Sequence, residues 1–314
     1  MKKTFVAATL FASLMGSAAM SETVGVSMAL FDDNFLTVLR NGIQKYADDN
    51  GIEVQIEDAQ NDVAKQLDQI NNFAASGVDA IIVNPVDTSA TQAMTDAAAA
   101  AGVPLVYVNR QPVNLDTLPD NQAFVASNEV DSGTLETKEI CRILKDAGKT
   151  EASAYIIMGE LSNQAAVQRT QDIHDVIDGP DCGVKFTIID KQTSNWRRDE
   201  AQNLMTNWLS SGTAFDAVIA NNDESAIGAI QAMKAAGIDM KDVVVGGVDA
   251  TQDALLAMQA GDLDVTVFQN AAAQGSGSLD AAVKLAKGES VDRAVWVPFE
   301  LVTPSNIENY LQKN

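Results

Sequence analysis

The chain has 314 residues, 46% of them apolar and 20% charged, and its 21 Lys+Arg against 43 Asp+Glu give a formal net charge of −22. That composition supports a folded core large enough for two lobes, and so acidic a surface repels phosphate backbones, which excludes nucleic acid as a partner. One histidine, His174, and two cysteines, Cys141 and Cys182, exclude His-based triads, His-rich metal sites and zinc fingers.

In chain order, residues 1–21 come first and differ in kind from the rest. A basic start, Met1-Lys2-Lys3, leads into the apolar run Phe5–Ala19 and then small residues at Ser17, Ala18, Ala19 and Ser21. This is the pattern of a cleaved secretory signal peptide, and the run is too short to span a bilayer. From Thr23 onward, short β-branched runs alternate with amphipathic stretches. The spacing predicts strands at Thr23–Leu30, Glu53–Asp58, Ala80–Val83 and Pro104–Val108, with helices over Phe35–Asp49, Asp62–Ser76 and Ser89–Ala101 between them. Gln111-Pro112 and Leu118-Pro119 interrupt the rhythm, so a break is expected across Asn109–Glu129.

A helical stretch over Thr134–Ala147 carries Cys141. A second series then pairs Ala154–Met158 with Gln164–Ile177, Lys185–Ile189 with Arg198–Ser210, and Ala217–Ala220 with Glu224–Ala236. Val243–Val248 with Asp253–Ala260 and Asp264–Phe268 with Ala271–Lys287 complete it. Near-continuous apolar strands alternating with helices define an α/β fold with parallel sheets covered on both faces. Two series predict two similar lobes. Cys182 lies in the turn Gly179-Pro180-Asp181-Cys182-Gly183. Two readings stand for the cysteines: a bridge, as export permits, or two buried unpaired thiols.

Polar residues follow each strand. Asp33 and Phe35 follow the first, Asn84 the third, and Asn109 and Arg110 the fourth; in the second series come Arg169, Trp196, Asn222, Asp249 and Asn270. Ligands of open parallel sheets bind beyond the carboxyl ends of the strands. Carboxylates accept from hydroxyls, Arg and Asn donate to them, and a flat aromatic covers a ring of C–H groups. Such a rim suits a sugar or cyclitol, with Phe35 and Trp196 placed to sandwich it from opposite lobes. Each residue also has a plain structural reading as a helix cap or core anchor. Asp32-Asp33 and Asp223-Glu224 read alternatively as paired carboxylates of an exported carbohydrate-active enzyme, although adjacent residues usually point apart.

On these segments, with Asp32-Asp33-Asn34-Phe35, Gln60-Asn61-Asp62, Asn84-Pro85-Val86-Asp87, Ala220-Asn221-Asn222-Asp223 and Gly247-Val248-Asp249 the most specific, the chain resembles the periplasmic sugar-binding proteins of ABC uptake systems. The ribose-, galactose- and inositol-binding group is the nearest in pattern. The resemblance implies two Rossmann-like lobes, 22–128 plus 272–301 and 129–271 plus 302–314, joined by a three-segment hinge. The crossings are expected near Ser127–Glu129, Ala271–Gln274 and Phe299–Pro304. It implies ligand contacts at Asp33, Phe35, Asn109, Arg110, Arg169, Trp196, Asn222, Asp249 and Asn270, and no enzymatic activity. It also implies a periplasmic monomer that delivers its ligand to a membrane ABC permease, with a chemoreceptor as a second reader. A sugar-responsive repressor shares the fold, but a signal peptide stands where its DNA-binding helices belong.

Two departures bear on the ligand. Ala165 stands where galactose-binding relatives carry an acidic contact, and Asn163 stands where they carry a histidine. Their calcium loop is absent between Cys141 and Ser153, so neither a metal nor another cofactor is expected. With two cations against two carboxylates, the rim suits a neutral polyol. Myo-inositol or a close derivative is the first expectation, and ribose, galactose or another monosaccharide the second.

Overall fold

The computed structural model describes residues 22–313, and the leader expected over 1–21 lies outside them. Nine α-helices and twelve strands are found among the described residues. The first sheet contains β1 (Thr23–Met28), β2 (Glu53–Asp58), β3 (Ala80–Val83), β4 (Leu105–Val108), β5 (Gln122–Ala126) and β11 (Ala294–Trp296). Its order is β11-β5-β4-β3-β1-β2, with every pair parallel. The inner strands Ala80–Val83 and Leu105–Val108 are buried at every position, because helices cover both faces. At the edge, β2 alternates exposed and half-buried residues.

The second sheet runs β7 (Lys185–Thr193), β6 (Glu151–Met158), β8 (Ala217–Ala220), β9 (Val244–Gly246), again parallel. Single bridges at Gly246↔Val265 and Asp249↔Phe268 carry it on to β10 (Thr266–Phe268), which pairs antiparallel with β12 (Glu300–Val302). The chain passes between the layers after β5, again after β10, and again between β11 and β12.

Helices follow their strands. In the first lobe, α1 (Asn34–Asn50) starts at Asp33, whose side chain accepts from Leu36 N at 2.8 Å, and ends at Gly51 with φ of 68°. Its core face is Phe35, Leu36, Leu39, Ile43 and Ala47. The helices α2 (Val63–Ser76) and α3 (Thr91–Ala101) cover the same sheet. Late in the chain, α9 (Ala271–Ala286) packs on α1 so closely that only glycine fits at two points. A Cβ on Gly42 would lie 2.7 Å from Ala272 O, and one on Gly275 would lie 2.3 Å from Leu39 O. In the second lobe stand α4 (Glu129–Asp146), α5 (Gln164–Ile177), α6 (Arg198–Leu209), α7 (Asp223–Ala235) and α8 (Gln252–Ala260).

Three sequence expectations change. The break at 109–129 contains β5, a fully buried strand, and a short 3-10 turn at Leu115–Thr117. The strand expected at Lys185–Ile189 continues to Thr193, along the exposed edge where Asp190, Lys191 and Gln192 meet water. The helix expected from Thr134 starts at Glu129, capped by Asn128. The open question of the cysteines resolves as a disulfide: Cys141 on α4 and Cys182 in its turn are joined, with Cα atoms 5.1 Å apart. Closing a loop with a sequence separation of 41 residues stabilises the fold by about 4 kcal/mol in the chain-entropy account.

Candidate functional site

The carboxyl ends of the strands of both sheets face one cavity that opens to solvent. From the first lobe it is lined by Asp33, Phe35 and Leu36 after β1, and by Asn109 and Arg110 after β4. From the second come Asn163, Ala165 and Arg169 after β6, and Trp196 after β7. Asn222 and Glu224 follow β8, Asp249 and Thr251 follow β9, and Gln269 follows β10. Eight of the nine residues singled out in the sequence therefore surround one space. Asn270 does not line it. Its Oδ1 accepts from Ala273 N at 3.0 Å as the cap of α9, and Gln269 takes the place on the wall.

Arg169 is the electrostatic centre. Its Nε and Nη2 donate to the two carboxylate oxygens of Glu129 at 2.7 and 3.1 Å, in the fork geometry that suits guanidinium and carboxylate. Nη1 donates to Asn221 O at 2.7 Å and Nη2 to Gln269 Oε1 at 3.1 Å, while Asp249 Oδ1 lies 3.7 Å from Nη1. Burial opposes the charge, but Glu129 and Asp249 outweigh it and hold the guanidinium more firmly protonated than usual. Burial pushes the Asp249 carboxyl well up, against the pull of Arg169. It also raises Asp33 and lowers Arg110. Arg110 Nη1 donates to Pro85 O at 2.9 Å and Val86 O at 3.3 Å.

Three lining residues hold left-handed backbone that non-glycine residues rarely adopt: Asn109 at φ 67°, Trp196 at 66° and Asp249 at 121°. Neighbours fix each one. Asn109 Nδ2 donates to Gln274 Oε1 at 3.2 Å, and Asn222 Nδ2 donates to Trp196 O at 3.2 Å. Asp249 N donates to Val267 O at 2.8 Å. Each of these three rim positions is thus held by neighbours in its own surroundings.

The Trp196 indole lies flat over Gly159, where a Cβ would stand 2.2 Å from the ring. Arg169 Cζ is 5.5 Å from the ring centroid. Trp196 Nε1 and Asn163 Oδ1 are buried with no hydrogen-bond partner, one a donor and the other an acceptor on the cavity wall. A hydroxyl, which both donates and accepts, matches both. Gly159→Ala is expected to push the indole off its seat and weaken ligand binding about tenfold or more, as titration calorimetry would register. Affinity within twofold of wild type would show that the ring's position is immaterial.

The paired-carboxylate reading of an enzyme meets other chemistry here. Asp223 is buried, accepting from Thr251 N at 2.9 Å and Thr266 Oγ1 at 2.7 Å. Glu224 is gripped by Arg198 at 2.8 and 2.9 Å. Asp223 ties its own lobe together, and Glu224, besides binding Arg198, accepts from Asn34 Nδ2 of the first lobe at 2.8 Å. Glu129 carried no signal in the sequence, because its partner lies 40 residues away.

Two lobes, a cleft at their strand ends and a wall of hydroxyl-matching groups define a solute-capturing protein. Residues 24–290 match the periplasmic binding protein domain family, and the chain belongs to that family. A Rhizobium meliloti protein named for rhizopine binding is 62% identical over 99% of this chain and 100% of its own length. A xylitol-binding protein of Mycolicibacterium smegmatis is 34% identical over 93% of this chain and 80% of its own. Among solved structures, a Bacillus halodurans ABC transporter solute binding protein with bound myo-inositol superposes with a TM-score of 0.86 at 40% identity, covering 94% of this chain and 98% of that one. A Caulobacter myo-inositol binding protein bound to myo-inositol gives 0.82 at 28% identity, covering 91% and 95%. These relatives are ligand-binding transport components, and the chain is a binding protein rather than an enzyme.

Proposed function

We propose that the chain captures myo-inositol or a close derivative between its lobes in the periplasm and delivers it to an ABC permease. The observation that carries this reading is the wall itself. Arg110 and Arg169 stand against Asp33 and Asp249, the third wall carboxylate, Glu224, being paired with Arg198, and hydrogen-bonding groups come from both lobes with no acidic contact at Ala165. A ring bearing hydroxyls all round finds partners in every direction there. Phe35 and Trp196 face it from opposite lobes, each adding about 1 kcal/mol beyond area burial. Asp33, Phe35, Asn109, Arg110, Arg169, Trp196, Asn222 and Asp249 are assigned as ligand contacts, with Gln269 in place of Asn270.

The bound myo-inositol in two structural relatives supports the choice. In this reading the lobes are 22–128 plus 272–301 and 129–271 plus 302–314, closing as a monomer about the three crossings, after removal of a leader over 1–21. Packing of α9 on α1 supports the division, while pairing of β12 with β10 puts Glu300 and Leu301 with the second lobe, a little before the 301/302 bound. Calorimetry against myo-inositol, rhizopine, ribose, galactose, glucose and xylose tests it. Myo-inositol or rhizopine is expected to bind at micromolar Kd or tighter, about −8 kcal/mol. A site that leaves its buried polar groups unpaired by a wrong hydroxyl pattern rejects the other sugars strongly. Tight binding of an aldose with none of inositol or rhizopine would overturn the ligand.

A further inference from the structure

The helix that carries Arg169, α5, begins without a cap of its own. Asn163 occupies the N-cap position in extended geometry, φ −104° and ψ 128°, where an Asn ordinarily accepts from the first turn of its helix, yet its side chain makes no such bond. Its Nδ2 donates instead to Val86 O of the other lobe at 3.3 Å and to Ser162 Oγ at 3.0 Å. The cap is supplied across the cleft. Thr88 Oγ1, from the first lobe, accepts from Gln164 N at 3.2 Å and donates to Ser162 O at 3.0 Å. Thr88 N donates to the same carbonyl at 3.1 Å. Thr88 sits at the start of a short 3-10 turn, Thr88–Ala90, held by the Asp87 side chain accepting from Ser89 N at 2.7 Å.

Thr88 is 4% exposed, and it does not line the ligand cavity. Its hydroxyl and N–H therefore bond to the other lobe only while the lobes are together. When they part, these groups and the α5 N-terminus return to water, and each bond loses its net contribution. A ligand that needs the closed form binds with an affinity scaled by the population of that form.

We propose that Thr88 is an interlobe latch: by capping α5 from the opposite lobe it sets the open–closed balance, and through it ligand affinity, without touching the ligand. The inference rests on the two-lobed capture described above. Thr88→Val keeps the shape and removes the hydroxyl; Thr88→Ser keeps the hydroxyl. T88V is expected to raise Kd for myo-inositol about 5- to 30-fold, about 1–2 kcal/mol at 1.4 kcal/mol per tenfold, mainly through faster dissociation. T88S is expected to restore the affinity to within about threefold of wild type. Small-angle scattering of the ligand-free proteins is expected to show T88V more open than wild type, with unfolding midpoints alike. A Kd for T88V within twofold of wild type overturns the latch, and so do ligand-free scattering profiles that superimpose. If wild type binds none of the polyols, the capture reading fails, while the scattering comparison still decides the latch.

Discussion

Replacing Arg169 by leucine is expected to abolish ligand capture and to cost the fold about 3–5 kcal/mol, the penalty of leaving buried partners of an ion pair uncompensated. Glu129 would keep its carboxylate in a pocket where it is 4% exposed and has lost both guanidinium bonds. Asp249 would lose the cation 3.7 Å away, and the wall would lose its donor to Asn221 O and Gln269. The two effects separate in a double variant. R169L with E129L removes both charges together, so much of the stability is expected to return while binding stays absent. Urea unfolding and calorimetry on wild type and the two variants measure this. Binding by R169L within tenfold of wild type would remove Arg169 from the ligand site.

The ligand-free protein is expected to become more stable as pH falls from about 8 to about 5. Burial pushes the carboxyls of Asp172 and Asp223 up to about 7, and it drives Glu136 and Asp249 well above the ordinary range. These groups share the interior of the second lobe with Glu129 and Arg169. An unfolded Asp releases its proton near 3.9. Between that value and about 7 the folded chain holds protons that the unfolded chain has lost, so stability is present at low pH and falls as pH rises through this window. Each such carboxyl contributes a slope approaching about 1.4 kcal/mol per pH unit there. Asp190, Asp199 and Asp216 are shifted downward and oppose the trend only in more acidic solution. Urea midpoints at pH 5, 6, 7 and 8 check the direction, and midpoints that rise with pH would refute it.

Much of this fold is legible in the chain because the inner strands are unbroken apolar runs. Ala80–Val83 and Leu105–Val108 have no polar residue to confuse the period. By contrast, β5 begins at Gln122 directly after Pro119-Asp120-Asn121, and its burial comes from neighbours far along the chain. At three residues each, β11 and β12 are too short for any period to show. The site follows the same division. Polar residues after strands mark the rim, but at Gln269-Asn270 two adjacent residues share the tasks of lining and capping. Only the start of α9 at Ala271 decides between them. Glu129 escapes any local reading, since its chemistry exists only once α4 and α5 lie side by side.

The seat of α9 on α1 also dictates an order of assembly. Leu279, Ala281, Ala282 and Leu285 belong to the same buried cluster as Val24, Leu39, Ile43 and Val106. The first lobe's core therefore contains residues from near both ends of the chain, and it cannot close while the ribosome or a translocation pore still holds the later ones. Long-range contacts of this kind slow folding, because the loop between the partners must be ordered before their burial rewards it. The second lobe waits as well, because Val302, Ile307 and Tyr310 belong to the buried cluster that holds Tyr155, Val218 and Val245. Both halves of the cleft, the one with Asp33 and the one with Arg169, are therefore finished only by segments that follow residue 270.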